Sequence, residues 1–272
     1  MKNKNLNDAK SVKNDEFYTL YEDIEKELTN YKDYLKDKII YCNCDSDESN
    51  FVRFLNDVKD DWQIKEIINT WIKDDGSDGF DSDENIELLK RCDVVITNPP
   101  FSLFKEIISL IFEYNKSFIV ISSITSYTYK KMFPKILNNE IRFGYNTIKQ
   151  FIGSDGKLHK FGNICWFTNF DVNKENDLVI NNIKYVEGNY KMFDNFDAIN
   201  VNKVSEIPDD YYDAMGVPLL FAEKLNRKQF EILGLSNTTK DNLPKGIAKT
   251  TVTSYIDGKK TYAKLFIKKI RC

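Results

Sequence analysis

The chain has 272 residues, 42% apolar and 14% aromatic, and a net charge of −3. That supports one large domain or a domain with a smaller lobe, and it excludes binding to nucleic acid by bulk charge, so any such contact must come from local basic patches. No apolar run reaches the length of a membrane span, Met1-Lys2-Asn3-Lys4-Asn5 lacks an apolar leader, and the five cysteines have no regular spacing. These features predict a soluble, cytoplasmic protein with reduced thiols and no membrane partner. With His159 as the single histidine and no Cys-x-x-Cys, no metal is expected. His159 reads as a surface residue beside Lys160, a poor centre for Ser–His or Cys–His chemistry.

In chain order, residues 1–13 read as a flexible polar arm. Asn14-Asp15-Glu16-Phe17-Tyr18-Thr19 then leads into a helix with Tyr21, Ile24, Leu28, Tyr31 and Leu35 on one face. A strand over 38–44 ends in the polar cluster Asn43-Cys44-Asp45-Ser46-Asp47, with Cys42 and Cys44 as small buried thiols. A helix over 50–58, a second strand over 64–72 and a short helix over 85–90 follow. The loop 74–84 carries six acids and no base.

The most informative stretch comes next. Val94 to Thr97 is branched throughout and reads as a strand buried on both faces. Pro99 and Pro100 stop it, since neither has an N–H and each keeps its predecessor extended. The result is a stiff loop in which the Asn98 side-chain oxygen and the Pro99 backbone oxygen are acceptors without ladder partners, and Phe101 is a flat apolar ring. Two such acceptors suit a planar amino group such as the exocyclic nitrogen of adenine. If that nitrogen attacks a methyl donor it becomes cationic, and both hydrogen bonds strengthen in the transition state. Phe101 can stack on the base.

Beyond the loop, the pattern predicts a helix marked by Leu103, Ile107, Ile108 and Ile111 and a buried strand over 117–124. A helix over 129–137 is interrupted at Pro134. Short strands over 141–143 and 150–152 follow, then a hairpin through Asp155-Gly156 into 161–170. Strand–helix alternation that closes on antiparallel strands is an α/β sheet with helices on both faces. From about 171 the chain becomes asparagine-rich, with strands expected over 217–221, 230–234 and 261–270. Residues 14–170 are thus the expected catalytic domain and 171–272 a smaller mixed lobe. Residues 257–272 carry six bases against Asp257, a net of +5.

Asn98-Pro99-Pro100-Phe101 after a buried strand resembles the catalytic loop of S-adenosylmethionine-dependent amino-methyltransferases. Residues 14–19, Cys42-Asn43-Cys44-Asp45, Asp93 through Phe104, Cys165-Trp166-Phe167-Thr168-Asn169 and the run from Phe193 to Asn200 together resemble the EcoRI-type adenine-specific DNA methyltransferases, in order and over roughly residues 14–270. The resemblance implies a Rossmann-like methyltransferase sheet, S-adenosyl-L-methionine as cofactor and N6-methylation of adenine at a specific site in duplex DNA. Asn98, Pro99, Pro100 and Phe101 take the catalytic positions. Phe17, Tyr18, Thr19, Asn43, Cys44, Asp45, Asp78 and Phe80 take cofactor positions, Phe80 beside the cofactor's adenine. Two departures stand out: Gly79 occupies the place of the acid that precedes this Phe in the family, and residues 58–76 are fewer than in the family. No acid for the ribose hydroxyls is evident beyond Asp74 or Asp75.

A target inside a duplex must be flipped out, at a cost of a few kcal/mol. Lysines on phosphates offset part of that cost. Lys130, Lys131, Lys259, Lys260, Lys264, Lys268 and Lys269 are the candidates, with the C-terminal lobe as the target-recognition region. A restriction nuclease in the same system is a further expected partner. Two other classes stay open: a methyltransferase acting on RNA or a protein glutamine, and a non-catalytic DNA- or cofactor-binding protein of the same fold. The oligomeric state is not legible.

Overall fold

A computed structural model describes residues 17–71, 79–153, 155–172, 176–249 and 252–271. In chain order the elements are β1 (Phe17–Thr19), α1 (Tyr21–Leu28), α2 (Lys32–Leu35), β2 (Ile39–Cys42), α3 (Asn50–Val58), β3 (Glu66–Asn69), α4 (Asp83–Arg91), β4 (Val94–Thr97) and α5 (Phe104–Glu113). These are followed by β5 (Ser117–Ser123), α6 (Phe133–Leu137), β6 (Arg142–Gly153), β7 (Leu158–Thr168), β8 (Ile199–Asn200), β9 (Ala214–Pro218) and β10 (Phe230–Leu235), and then by β11 (Tyr255–Ile256), β12 (Lys259–Lys260) and β13 (Lys264–Lys269). Contacts divide the chain into two units, residues through 126 with 140–172, and 127–139 with 173–272. Segment 127–139, expected with the catalytic domain, joins the second unit. Within that unit Tyr127 donates its hydroxyl to Leu219 O and Arg227 donates to Ile136 O.

The first unit is an α/β sheet in the order β1-β6-β7-β5-β4-β2-β3. Strands β3, β2, β4 and β5 run parallel, while β7, β6 and β1 pair antiparallel on the β5 side. The branched strand β4 is buried along its length, as a strand covered on both faces must be. Helices begin where the chemistry asks them to: Ser49 and Ser82 accept from Val52 N and Asn85 N and so cap α3 and α4.

Three elements differ from the sequence expectation. Residues 142–153 form one strand rather than two short ones, with the register slipping between Phe143 and Thr147 and again between Ile148 and Gln150. The first slip is plugged by Glu27 of α1, a fully buried carboxylate that accepts from Tyr145 N, Asn146 N, Asn146 Nδ2 and Tyr31 Oη. Gly144 makes room for it, because a Cβ there would run into Glu27 Oε1. Next, Pro134 does not interrupt a helix. It sits in the first turn of α6, where its missing N–H costs nothing. Finally, residues 219–223 turn out of β9 as a 3₁₀ helix instead of extending a strand over 217–221.

The second unit is a four-stranded sheet, β10-β13-β9-β8, with a separate two-stranded ribbon, β11-β12. Phe193, Phe196, Ala198, Ala214 and Phe266 form its buried cluster. The expected N-terminal arm and Asn14 to Glu16 lie outside the described residues.

Candidate active site

In the first unit, β2 and β4 are parallel neighbours whose following connections leave in opposite directions, β2 to β3 and β4 to β5. The loops at their carboxyl ends must part there, which opens a crevice at the point where open α/β sheets hold ligands. A recess of about 850 Å³, open to solvent, occupies it.

Nine of the residues singled out in the sequence line this one recess: Phe17, Tyr18 and Thr19 from β1, Cys44 and Asp45 beyond β2, and Asn98, Pro99, Pro100 and Phe101 beyond β4. Asn43 is buried and is not among the lining residues, and neither is Phe80. Asp78, Asp74 and Asp75 lie outside the described residues. Sequence reasoning missed Trp71, half exposed two residues after β3, and Ser49 and Asn50 at the start of α3. The polar start of α3, Ser49-Asn50 directly after the Asn43–Asp47 cluster, is the signal that could have added the last two.

The loop's chemistry is set by one hydrogen bond. Asn98 Nδ2 donates to Phe17 O at 2.6 Å. Phe17 O can only accept, so the amide must turn its nitrogen to β1, which leaves Oδ1 as the acceptor. The rings of Phe17 and Phe101 stack with centroids 6.2 Å apart and planes 27° from parallel. Phe17 is also in edge contact with Phe161 and His159. His159 is therefore packed on a residue of the recess wall, its Nε2 3.0 Å from Asp155 Oδ1.

Behind the loop, Thr97 donates its hydroxyl to Asp45 Oδ2 at 2.8 Å, and Asp45 N donates to Thr70 O at 2.9 Å. The three strand ends are thereby joined through Asp45. Burial pushes the Asp45 carboxyl up to about 7, against hydrogen bonds from Thr97 and Ser49 that pull it down. Burial also pushes the Cys44 thiol up, so it is not a ready nucleophile.

Two buried oxygens, Thr19 Oγ1 and Asn43 Oδ1, have no hydrogen-bond partner. Buried polar atoms normally have one. Of the two, Thr19 lines the recess, beside the buried Asp45 carboxyl, and its orphaned oxygen fits a polar ligand that brings its own hydrogen-bond donor. Among the described residues no group of three or more His, Cys, Asp or Glu could hold a metal ion, and no helix is long and apolar enough to cross a membrane.

The candidate DNA-contacting lysines are all in the second unit. Lys130, Lys131, Lys259, Lys260 and Lys268 are exposed. Lys130 lies 3.9 Å from Asp241, and Lys268 stands opposite Glu231 in the sheet. Lys264 corrects the expectation. It is buried, its Nζ donates to Val201 O at 2.9 Å, and burial lowers its ammonium to about 8. β13 lies between β10 and β9, and Lys264 to Ile267 are all buried, so Lys264 cannot reach a phosphate. Lys269 is half buried and donates to Asp209 O.

The family model described as "Adenine-specific methyltransferase EcoRI" matches residues 5–77 and 55–270. The type II methyltransferase M.EcoRI of Escherichia coli is 35% identical over 99% of this chain and 97% of its own. Type II methyltransferase M.MgeORF184P of Mycoplasma genitalium is 35% identical over 97% and 98%. Type II methyltransferase M.MpnI of Mycoplasma pneumoniae is 35% identical over 84% of each chain.

Proposed function

This chain belongs to the EcoRI family of adenine-specific methyltransferases, and on that premise we propose that it methylates the N6 atom of adenine at a specific site in duplex DNA, after flipping the base out of the helix, with S-adenosyl-L-methionine as donor. The observation that carries this reading is the orientation of Asn98: with Nδ2 held by Phe17 O, Oδ1 has an acceptor's role to play in the recess.

Asn98 Oδ1 and Pro99 O each take one hydrogen of the amino group. They are fixed before the reaction and bind best when the nitrogen turns cationic, which is stabilisation specific to the transition state. Phe101, backed by Phe17, offers a face to the base. The donor supplies a methyl group already activated on a sulfonium, so the protein's work is alignment and hydrogen bonding. For the donor itself, the residues present suit its charges. The buried Asp45 carboxyl suits a cation, Thr19 Oγ1 can meet a polar hydrogen, and the positive end of α3 at Ser49 and Asn50 suits a carboxylate. Trp71 supplies a half-exposed aromatic face at the end of β3.

The lysines of the second unit, Lys264 excepted, supply the salt-dependent hold on phosphates, and a nuclease of the same specificity is the expected companion. The test is to incubate the protein with methyl-labelled donor and unmethylated duplex DNA, RNA or protein. Label appearing on N6 of adenine in duplex DNA is expected. Label on RNA or a protein glutamine, or none on any acceptor, would overturn the reading.

A further inference from the structure

The run from Phe193 to Asn200 resembles the family without any part of the recess depending on it, and the structure gives it a task. Phe193 and Phe196 point into the buried cluster of the second unit. Gly216 leaves room for the first, since a Cβ there would come within 2.6 Å of the Phe193 ring. The polar residues between them reach out to the ribbon of β11 and β12. The Asp194 carboxylate accepts from Asp257 N at 3.1 Å and Gly258 N at 2.8 Å, both amides of the ribbon's turn. Asn195 accepts from Tyr255 N and donates to Thr253 O.

The turn is the two-residue Asp257-Gly258, with φ of 51° and 71°, the left-handed pair that matches the twist of a short hairpin. A two-stranded hairpin is marginal by itself. This one is held in shape by a clamp rooted in the core.

What the clamp presents is basic and aromatic. Lys259 and Lys260 are exposed, and among the described residues neither is paired with a carboxylate. The two acids at the tip are engaged, Asp194 by the turn amides and Asp257 by Lys191. Thr261 turns inward, its hydroxyl 2.7 Å from that of the buried Ser254 and its N–H on Ser254 O. Lys260 and Tyr262 on either side of it are both exposed. Tyr262 is 91% exposed, a cost that packing does not repay.

We infer that the β11-β12 ribbon with Tyr262 is a preformed finger that contacts duplex DNA, its two lysines on phosphates and the Tyr262 ring on a sugar or base edge. This deepens the proposed function and rests on it for the identity of the partner. The match is one of charge and shape: a two-stranded ribbon fits the major groove, about 12 Å wide, and in a chain of net charge −3 a local pair of unneutralised lysines is what a polyanion would find.

The full chain and two variants, the double substitution Lys259→Ala with Lys260→Ala and the single Tyr262→Ala, are titrated against a duplex of mixed sequence by fluorescence anisotropy over a salt series. The double variant should flatten the slope of log K against log salt by about 2, close to one per lysine lost. Tyr262→Ala should weaken binding about tenfold at fixed salt. Melting temperature and binding of labelled donor should stay as in the unsubstituted protein, because all three side chains are exposed. If the unsubstituted protein binds the duplex and both variants keep its slope and affinity, the finger is overturned and the methyltransferase reading stands. If the unsubstituted protein binds no duplex, the DNA reading itself falls.

Discussion

The side-chain nitrogen of Asn98 is bonded to the main-chain oxygen of Phe17, 81 residues earlier in the chain. The same Phe17 stacks its ring on Phe101. One edge strand thus orients both the acceptor and the aromatic face of the loop, and it does so from a position that residues 98–101 themselves do not disclose.

Asn98→Asp tests the orientation. A carboxylate keeps an acceptor but cannot donate to Phe17 O, so two oxygens would face each other. Methyl transfer should fall about 10²–10³-fold, the scale of losing one preorganised hydrogen bond to developing charge. Asn98→Ala should abolish transfer. Donor binding by calorimetry should survive both changes; retained turnover in Asn98→Ala would remove this residue from the chemistry.

Phe101→Ala should loosen the flipped base by about 1–3 kcal/mol and the donor much less. Binding to duplexes with an abasic or a normal target, compared with donor binding, separates the two. Equal losses would mean that Phe101 serves the recess as a whole rather than the base.

Asp45 should make stability, and binding of the proposed donor, depend on pH. Its carboxyl is raised from 3.8 to about 7, so across that window the folded protein binds more protons than the unfolded chain. Stability of the ligand-free protein should therefore fall as pH rises through the window. Asp45→Asn should flatten that fall, measured by chemical denaturation. A cationic donor favours the ionised carboxyl. Binding should then release protons below about 7, read by calorimetry in buffers of different ionisation enthalpy, and Asp45→Asn should release fewer.

Glu27→Ala should destabilise the first unit by about 2 kcal/mol or more, since it leaves two partly buried β6 amides without an acceptor. Gly144→Ala should cost about 1–3 kcal/mol by forcing a methyl against the same carboxylate and Trp166. Denaturant midpoints measure both. Neither residue lines the recess, so donor binding by the folded fraction should be unchanged.

Lys264→Met should leave the salt dependence of DNA binding untouched, unlike the ribbon lysines. The sign of its pH effect is opposite to that of Asp45. With the ammonium lowered from 10.5 to about 8, the folded protein binds fewer protons, and stability should rise with pH through that window. The Met variant should lack the rise in a denaturation series.

Local chemistry in the sequence determined a great deal here. Branched residues ended by two prolines specify a buried strand and a stiff loop wherever they occur, and Ser49 and Ser82 cap their helices through bonds only three residues long. Asn50–Val58 is helical over the expected span. The tertiary structure decided whatever depends on partners distant in sequence. Phe17 to Thr19 became an edge strand only by pairing with β6, and that pairing brought Phe17 O to Asn98. Trp71 joined the recess through the parallel pairing of β3 with β2. Two apparent short strands became one because Glu27 supplies, from another element, the acceptors that a slipped ladder lacks. Lys264 and Lys260 are alike in sequence, both lysines in a basic tail. One is buried on Val201 O in a strand flanked on both sides, and the other is exposed on a clamped ribbon, because burial is set by neighbours in space and not by the residue's own charge.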